Sequence, residues 1–126
     1  MTHSMKLKDP HFRNVLEGKK IYELRLYDEK RKAMNVGDVI TIKHNDNSSN
    51  CYNVVITDIK VFTSFKKAIK DSGFDKVIPD AQNLNDAIGI YLNIPNYPEG
   101  ESKYGVVRFT FVLQNVLKNV HLLNIQ

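Results

Sequence analysis

GKKIYELR, residues 18–25, is the stretch on which the reading of this chain turns. Upstream, Asp9-Pro10 is expected to open a short helix, and Gly18 to close it. Tyr22, Leu24 and Leu26 then share one parity, the pattern of a strand with a buried face. Ile21, Glu23, Arg25 and Tyr27 share the other. Same-face neighbours on a strand stand roughly 6–7 Å apart. Glu23 and Arg25 can therefore hold one ligand between them or pair with each other. Lys20 sits at the strand mouth, within reach of the same patch. On residue chemistry alone this is a solvated face with a weak ion pair, worth about 0–1 kcal/mol.

Working outward, Met5-Lys6-Leu7 reads as a short strand. Asp9 is the expected helix cap, with Pro10 in the first position where its missing N–H is no loss. Phe12, Val15 and Leu16 form the apolar face of that helix. Residues 28–35 are dense in charge and read as a loop or one helical turn. Residues 39–43 and 52–62 read as a strand hairpin around the Asn-rich turn at 45–50. Thr63 or Ser64 caps a second helix, with Phe65, Ala68 and Ile69 inward and Lys66, Lys67 and Lys70 outward. Residues 74–79 are a connector. Asp80 or Asn83 caps a third helix, whose stripe is Leu84, Ala87, Ile88, Tyr91 and Leu92, and Pro95 stops it. Residues 96–102 read as a loop.

A last strand is expected over 104–113, with Val107, Phe109, Phe111 and Leu113 alternating inward. Tyr22, Leu24 and Leu26 are expected to share its core. The tail, 114–126, carries enough apolar residues to pack as strand or helix. Strands and helices mix without a regular βαβ repeat, which argues for an α+β fold.

At 126 residues the chain is expected to be a single domain with one core. No apolar run approaches the roughly 20 residues of a membrane span. Residues 1–5 have no apolar segment of secretory type, so an intracellular, most simply cytoplasmic, location is expected. Cys51 is the only cysteine, which excludes an internal disulfide. The four histidines show no ligand spacing, so no metal site and no cofactor is expected. The net charge of +4 suits an anionic partner without demanding one.

The spacing G-x-K-x-x-E-x-R, carried by Gly18, Lys20, Glu23 and Arg25, resembles the signature of the ASCH domain family, a branch of the PUA-like barrels. Leu26-Tyr27-Asp28-Glu29-Lys30-Arg31 and Val36-Gly37-Asp38-Val39-Ile40 resemble the next family segment. Ser64-Phe65 opening a helix and Tyr104-Gly105-Val106-Val107 opening a late strand also fit. The resemblance spans about residues 6–113 and leaves 114–126 as an extension. It implies a small barrel of about five or six strands with two or three flanking helices, and a cleft lined by the signature residues.

It also implies a function. PUA-like barrels are generally RNA-associated, so RNA or a modified nucleoside or nucleotide is the expected partner. Basic residues agree: Arg13, Lys19, Lys20, Arg25, Lys30, Arg31 and Lys32 outnumber Glu17, Glu23, Asp28 and Glu29 between residues 13 and 32. Lys20, Arg25, Lys30 and Arg31 suit phosphate, Glu23 suits a base amine or ribose hydroxyl, and Tyr27, Tyr97 and Tyr104 suit a cleft rim.

The alternative is a hydrolase, because some ASCH proteins resemble amidohydrolases of N4-acylated cytidine and others are ribonucleases. Lys20 matches the catalytic lysine of the deacylating branch. Glu23 stands where that branch has a threonine, and would instead serve as general base. Asp80 is the nearest match to its acidic residue. With Glu23 and Arg25 both near, Lys20 is expected to remain a charged ammonium. A third class, protein interaction through the apolar tail, rests on residues 114–126 alone.

Overall fold

The computed structural model describes residues 1–114, so the expectation for the tail from residue 115 onward lies outside the described residues. Among these residues five strands form one sheet: β1 (Thr2–Leu7), β2 (Tyr22–Leu26), β3 (Val39–His44), β4 (Cys51–Phe62) and β5 (Val106–Leu113), in spatial order β1-β3-β4-β5-β2. β1 runs parallel to β3, and the other pairs are antiparallel. The sheet curls into a half-barrel with β1 and β2 as its two edges. Among the described residues six helices accompany it: α1 (His11–Leu16), α2 (Glu29–Lys32), α3 (Phe65–Ser72), α4 (Phe74–Val77), α5 (Leu84–Leu92) and α6 (Tyr97–Tyr104). The α+β class and the strand count match the sequence reading. The helices outnumber it, because the charged 28–35 stretch, the 74–79 connector and the 96–102 loop each wind into helix.

Each face of the sheet carries a buried cluster. Inside the curl, Met5, Ile40, Ile42, Val54 and Phe109 meet Phe12 and Val15 of α1. On the opposite face, Leu24 and Val106 pack under Phe65, Ile69 and Ala87 of the helical layer. The pairing register places Glu23 opposite Phe109 and Leu24 opposite Arg108. Leu24 therefore does not share a core with Val107, Phe109 and Phe111, as the alternation suggested. Parity was legible within each strand, but it does not say which face of β5 lies beside which face of β2; the register sets Leu24 and Leu26 beside Arg108 and Val106, on the parity opposite the aromatic one. Glu23 and Arg25 belong to the other parity of β2, where Glu23 is buried and Arg25 is partly exposed. On the helical face Arg108 is buried, donating to Asp71 (2.9 Å) and Ser72 (2.7 Å) with its guanidinium 4.5 Å from the Tyr22 ring centre.

Two local expectations give way to longer-range contacts. Pro10, not Asp9, stands at the cap position of α1, and the Asp9 carboxylate lies 3.0 Å from His44 Nε2. Leu16 is exposed, while Asn14 is buried in its place. β1 also begins earlier than Met5, at Thr2, because His3 has a partner in Asp38 (2.8 Å). That contact, followed by the Asn35 N–H (3.0 Å), holds the Asp38 carboxyl down at about 2 against an ordinary 3.8. A depressed carboxyl stabilises the fold above its ordinary pKa, and that stability is lost as pH falls through the folded value. The melting temperature should therefore drop between about pH 4 and about pH 2. Asp38→Asn should flatten that part of the curve in a thermal-melt series, and an unchanged pH profile would contradict the assignment.

Candidate functional site

The turn after α1 delivers Lys20. Gly18 adopts φ +77°, and the N–H groups of Lys19 and Lys20 both donate to the Asn14 carbonyl. The Ile21 N–H then donates to the Lys76 carbonyl, which lays the start of β2 against α4. A helix's last carbonyls have no partner within the helix, and Val77 O accepts from the Lys20 ammonium. Lys20 and Glu23 are each 3% exposed, so the solvated-face reading does not hold. Glu23 Oε1 lies 4.0 Å from Lys20 Nζ and 3.7 Å from Arg25 Nε. Arg25 Nη2 donates to the Lys6 carbonyl (3.0 Å), spanning from β2 to β1.

Burial lowers the Lys20 pKa, with Glu23 opposing and Arg25 adding to the shift. The sequence offered only the two charges, which oppose each other; desolvation outweighs both and is invisible in one dimension. Burial also lowers His11, helped by the Lys20 charge. Burial, and then the Glu23 carboxylate, push the Tyr91 phenol well above its ordinary value, so it remains a hydroxyl donor.

These groups line a cleft of about 470 Å³ at the seam between the two edge strands. On the strand side the charged and polar groups Lys6, Lys8, His11, Lys20, Glu23 and Arg25 gather around Leu7 and Leu24. The helical side is mostly apolar and aromatic, from Ile78, Ile90, Tyr91, Ile94, Pro95 and Tyr97, with Asn93 among them. Of the sequence-derived candidates, Lys20, Glu23, Arg25 and the rim residue Tyr97 come together here.

The others lie elsewhere. Tyr27 packs against the inner core, with Lys32 Nζ 5.5 Å from its ring centre. Lys30 is exposed on α2, and Arg31 pairs with Asp28 at 2.8 Å. Asp80 accepts from Asn14 Nδ2 at 3.3 Å and is not on the cleft wall. Tyr104 lines a separate depression with Phe62 and Glu101. Lys6, Lys8 and His11 were missed. Their one signal was that Lys6 and Lys8 share a parity beside Leu7, just ahead of a histidine. Among the described residues, no group of three or more His, Cys, Asp or Glu is placed to hold a metal ion, and no helix is long and apolar enough to cross a membrane.

A curled five-stranded α+β sheet with helices packed against it is the fold of a PUA-like class of domain. The ASCH domain family model matches residues 5–115, and the chain belongs to that family. Two solved structures are similar over nearly their whole length. The hypothetical protein PH0355, known from a crystal structure, is 30% identical with a TM-score of 0.81, and the match covers 90% of this chain and 99% of that one. Protein PF0455 from Pyrococcus furiosus, solved by solution NMR, is 29% identical with a TM-score of 0.72, covering 90% and 98%. No curated protein matches the chain.

Proposed function

We propose that this ASCH domain binds RNA or a modified nucleotide in the seam cleft. The observation that carries the reading is the contrast between the strand side of the cleft, where the charges gather, and the helical side, which is mostly apolar and aromatic. The apolar and aromatic wall suits the faces of a base, while Lys6, Lys8 and Arg25 suit a phosphate. Its volume of about 470 Å³ falls within the roughly 300–1,000 Å³ of small-ligand pockets. In this reading Arg25 keeps the phosphate role expected of it, and Lys6 and Lys8 take the place of Lys30 and Arg31.

The test is a salt series. Affinity for short single-stranded RNA should fall as salt rises, because each phosphate contact releases counterions. Reversing Lys6 and Lys8 together to Glu should flatten the log–log slope by about 1.4, whereas the same change at Lys30 and Arg31 should have less effect. Affinity that ignores salt, or that responds only to the second pair, would contradict this placement.

One observation favours hydrolysis as a second reading. Burial lowers the Lys20 pKa, which raises the share of free amine available as base or nucleophile. Glu23, beside it, can position or deprotonate water. Product release from a panel of N4-acylated cytidines and short RNAs decides between the readings.

A further inference from the structure

Two polar atoms of the cleft residues are buried without a hydrogen-bond partner, Glu23 Oε2 and His11 Nδ1. Leaving such atoms unpaired is destabilising, and native structures retain them chiefly where something else completes them. Glu23 Oε1 is already near two cations, so Oε2 is the oxygen left for a ligand. An ionised carboxylate only accepts hydrogen bonds. The His11 imidazole, held toward its neutral form by burial and by Lys20, has one donor and one acceptor nitrogen.

Resting on the nucleotide reading above, we propose that this pair selects bases that carry an exocyclic amine. The amine donates to Glu23 Oε2, and the adjacent ring nitrogen bonds His11 Nδ1. Adenine and cytosine place an amine beside a bare ring nitrogen, to which Nδ1–H donates. Guanine places an amine beside an N–H, from which bare Nδ1 accepts. The amine is the shared determinant. Uracil, and hypoxanthine docked by its carbonyl edge, set a carbonyl oxygen against Glu23 Oε2. That pairing juxtaposes two acceptors and leaves the buried carboxylate unsatisfied, which is how a hydrogen-bonding site rejects the wrong partner. Hypoxanthine docked by its other edge offers only a C–H where guanine has its amine.

The experiment is calorimetric titration of the full chain with five nucleoside 5′-monophosphates, those of adenosine, inosine, cytidine, uridine and guanosine. In the tightest-binding matched pair (adenosine/inosine, guanosine/inosine or cytidine/uridine) the amine-bearing member should bind at least about 10-fold more tightly. Glu23→Gln offers an amide N–H to a carbonyl, so it should erase or reverse that ratio. His11→Phe keeps a flat ring and should shrink the ratio mainly by weakening the amine-bearing member. It also carries the test should Glu23→Gln fail to fold. Equal binding within every pair, or a ratio that survives both substitutions, overturns the selection mechanism while leaving nucleotide binding intact. Binding of none of the five, with no RNA binding either, overturns the nucleotide reading and this inference with it.

Discussion

Phe65→Ala should destabilise the fold by about 3–5 kcal/mol, the range for truncating a fully buried aromatic. Phe65 is 0% exposed and begins α3 directly after the Ser64 cap. Its N–H donates to Glu101 of α6 at 2.8 Å. Its ring stacks on Tyr91 of α5 (centroids 4.8 Å apart, 12° between planes) and on Tyr97 of α6 (5.5 Å, 9°). Three helices of the outer layer thus register on one side chain. Aromatic pairs of this kind add about 0.5–1.5 kcal/mol each beyond area burial. The substitution should also weaken ligand binding, because Tyr91 and Tyr97 line the cleft. Denaturant titration gives the stability and RNA titration the second effect. A loss under about 1 kcal/mol would mean that the layer relaxes to fill the cavity.

Glu23→Gln should have two large effects. First, it removes the nearest counter-charge of a buried ammonium. Breaking a buried ion pair from one side typically destabilises by about 3–5 kcal/mol. Arg25 is no substitute, since it pushes Lys20 in the same direction as burial does. Lys20 would shift further down. Its charged form is the disfavoured one in the folded state, so stability should rise with pH between its folded and unfolded pKa, over a wider window in the variant. The loss should therefore be greatest below that window and shrink as the solution becomes alkaline.

Second, the substitution separates the two functional readings. A binder loses one charge-assisted hydrogen bond, about 1.5–3 kcal/mol of affinity. A hydrolase loses roughly 10²-fold or more in turnover with little change in binding. Wild-type turnover that disappears in both Glu23→Gln and Lys20→Ala would establish hydrolysis. No turnover, with binding lost in both, supports the binder.

The sequence made some of this legible. The octet, placed by its spacing, named Lys20, Glu23 and Arg25, and the structure brings those three together. Gly18 was correctly read as the turn behind them. The depth of the site was not legible, because burial of Glu23 depends on β5 lying beside β2, a pairing across more than 80 residues. His11, Lys6 and Lys8 reach the same cleft from a different strand and helix, and no local rule links them to the octet.

Helix α6 was missed for a local reason. Pro98 and Gly100 read as breakers, yet proline is tolerated in a helix's first turn. Gly100 is there for space, because a Cβ at that position would collide with the Leu26 side chain of β2. The Asp9 cap failed because His44, 35 positions on, bonds the same carboxylate.

Arg25 joins one edge of the half-barrel to the other through its bond to the Lys6 carbonyl. An unpaired strand edge is a template on which a second chain can add a strand, and proteins guard such edges with charge or cover. Arg25 provides both at Lys6, placing a guanidinium on the outer edge of β1 and occupying a carbonyl that an incoming strand would need. If Arg25 also meets phosphate as proposed, one side chain serves both ligand and strand edge, and Arg25→Ala should raise self-association as well as weaken binding.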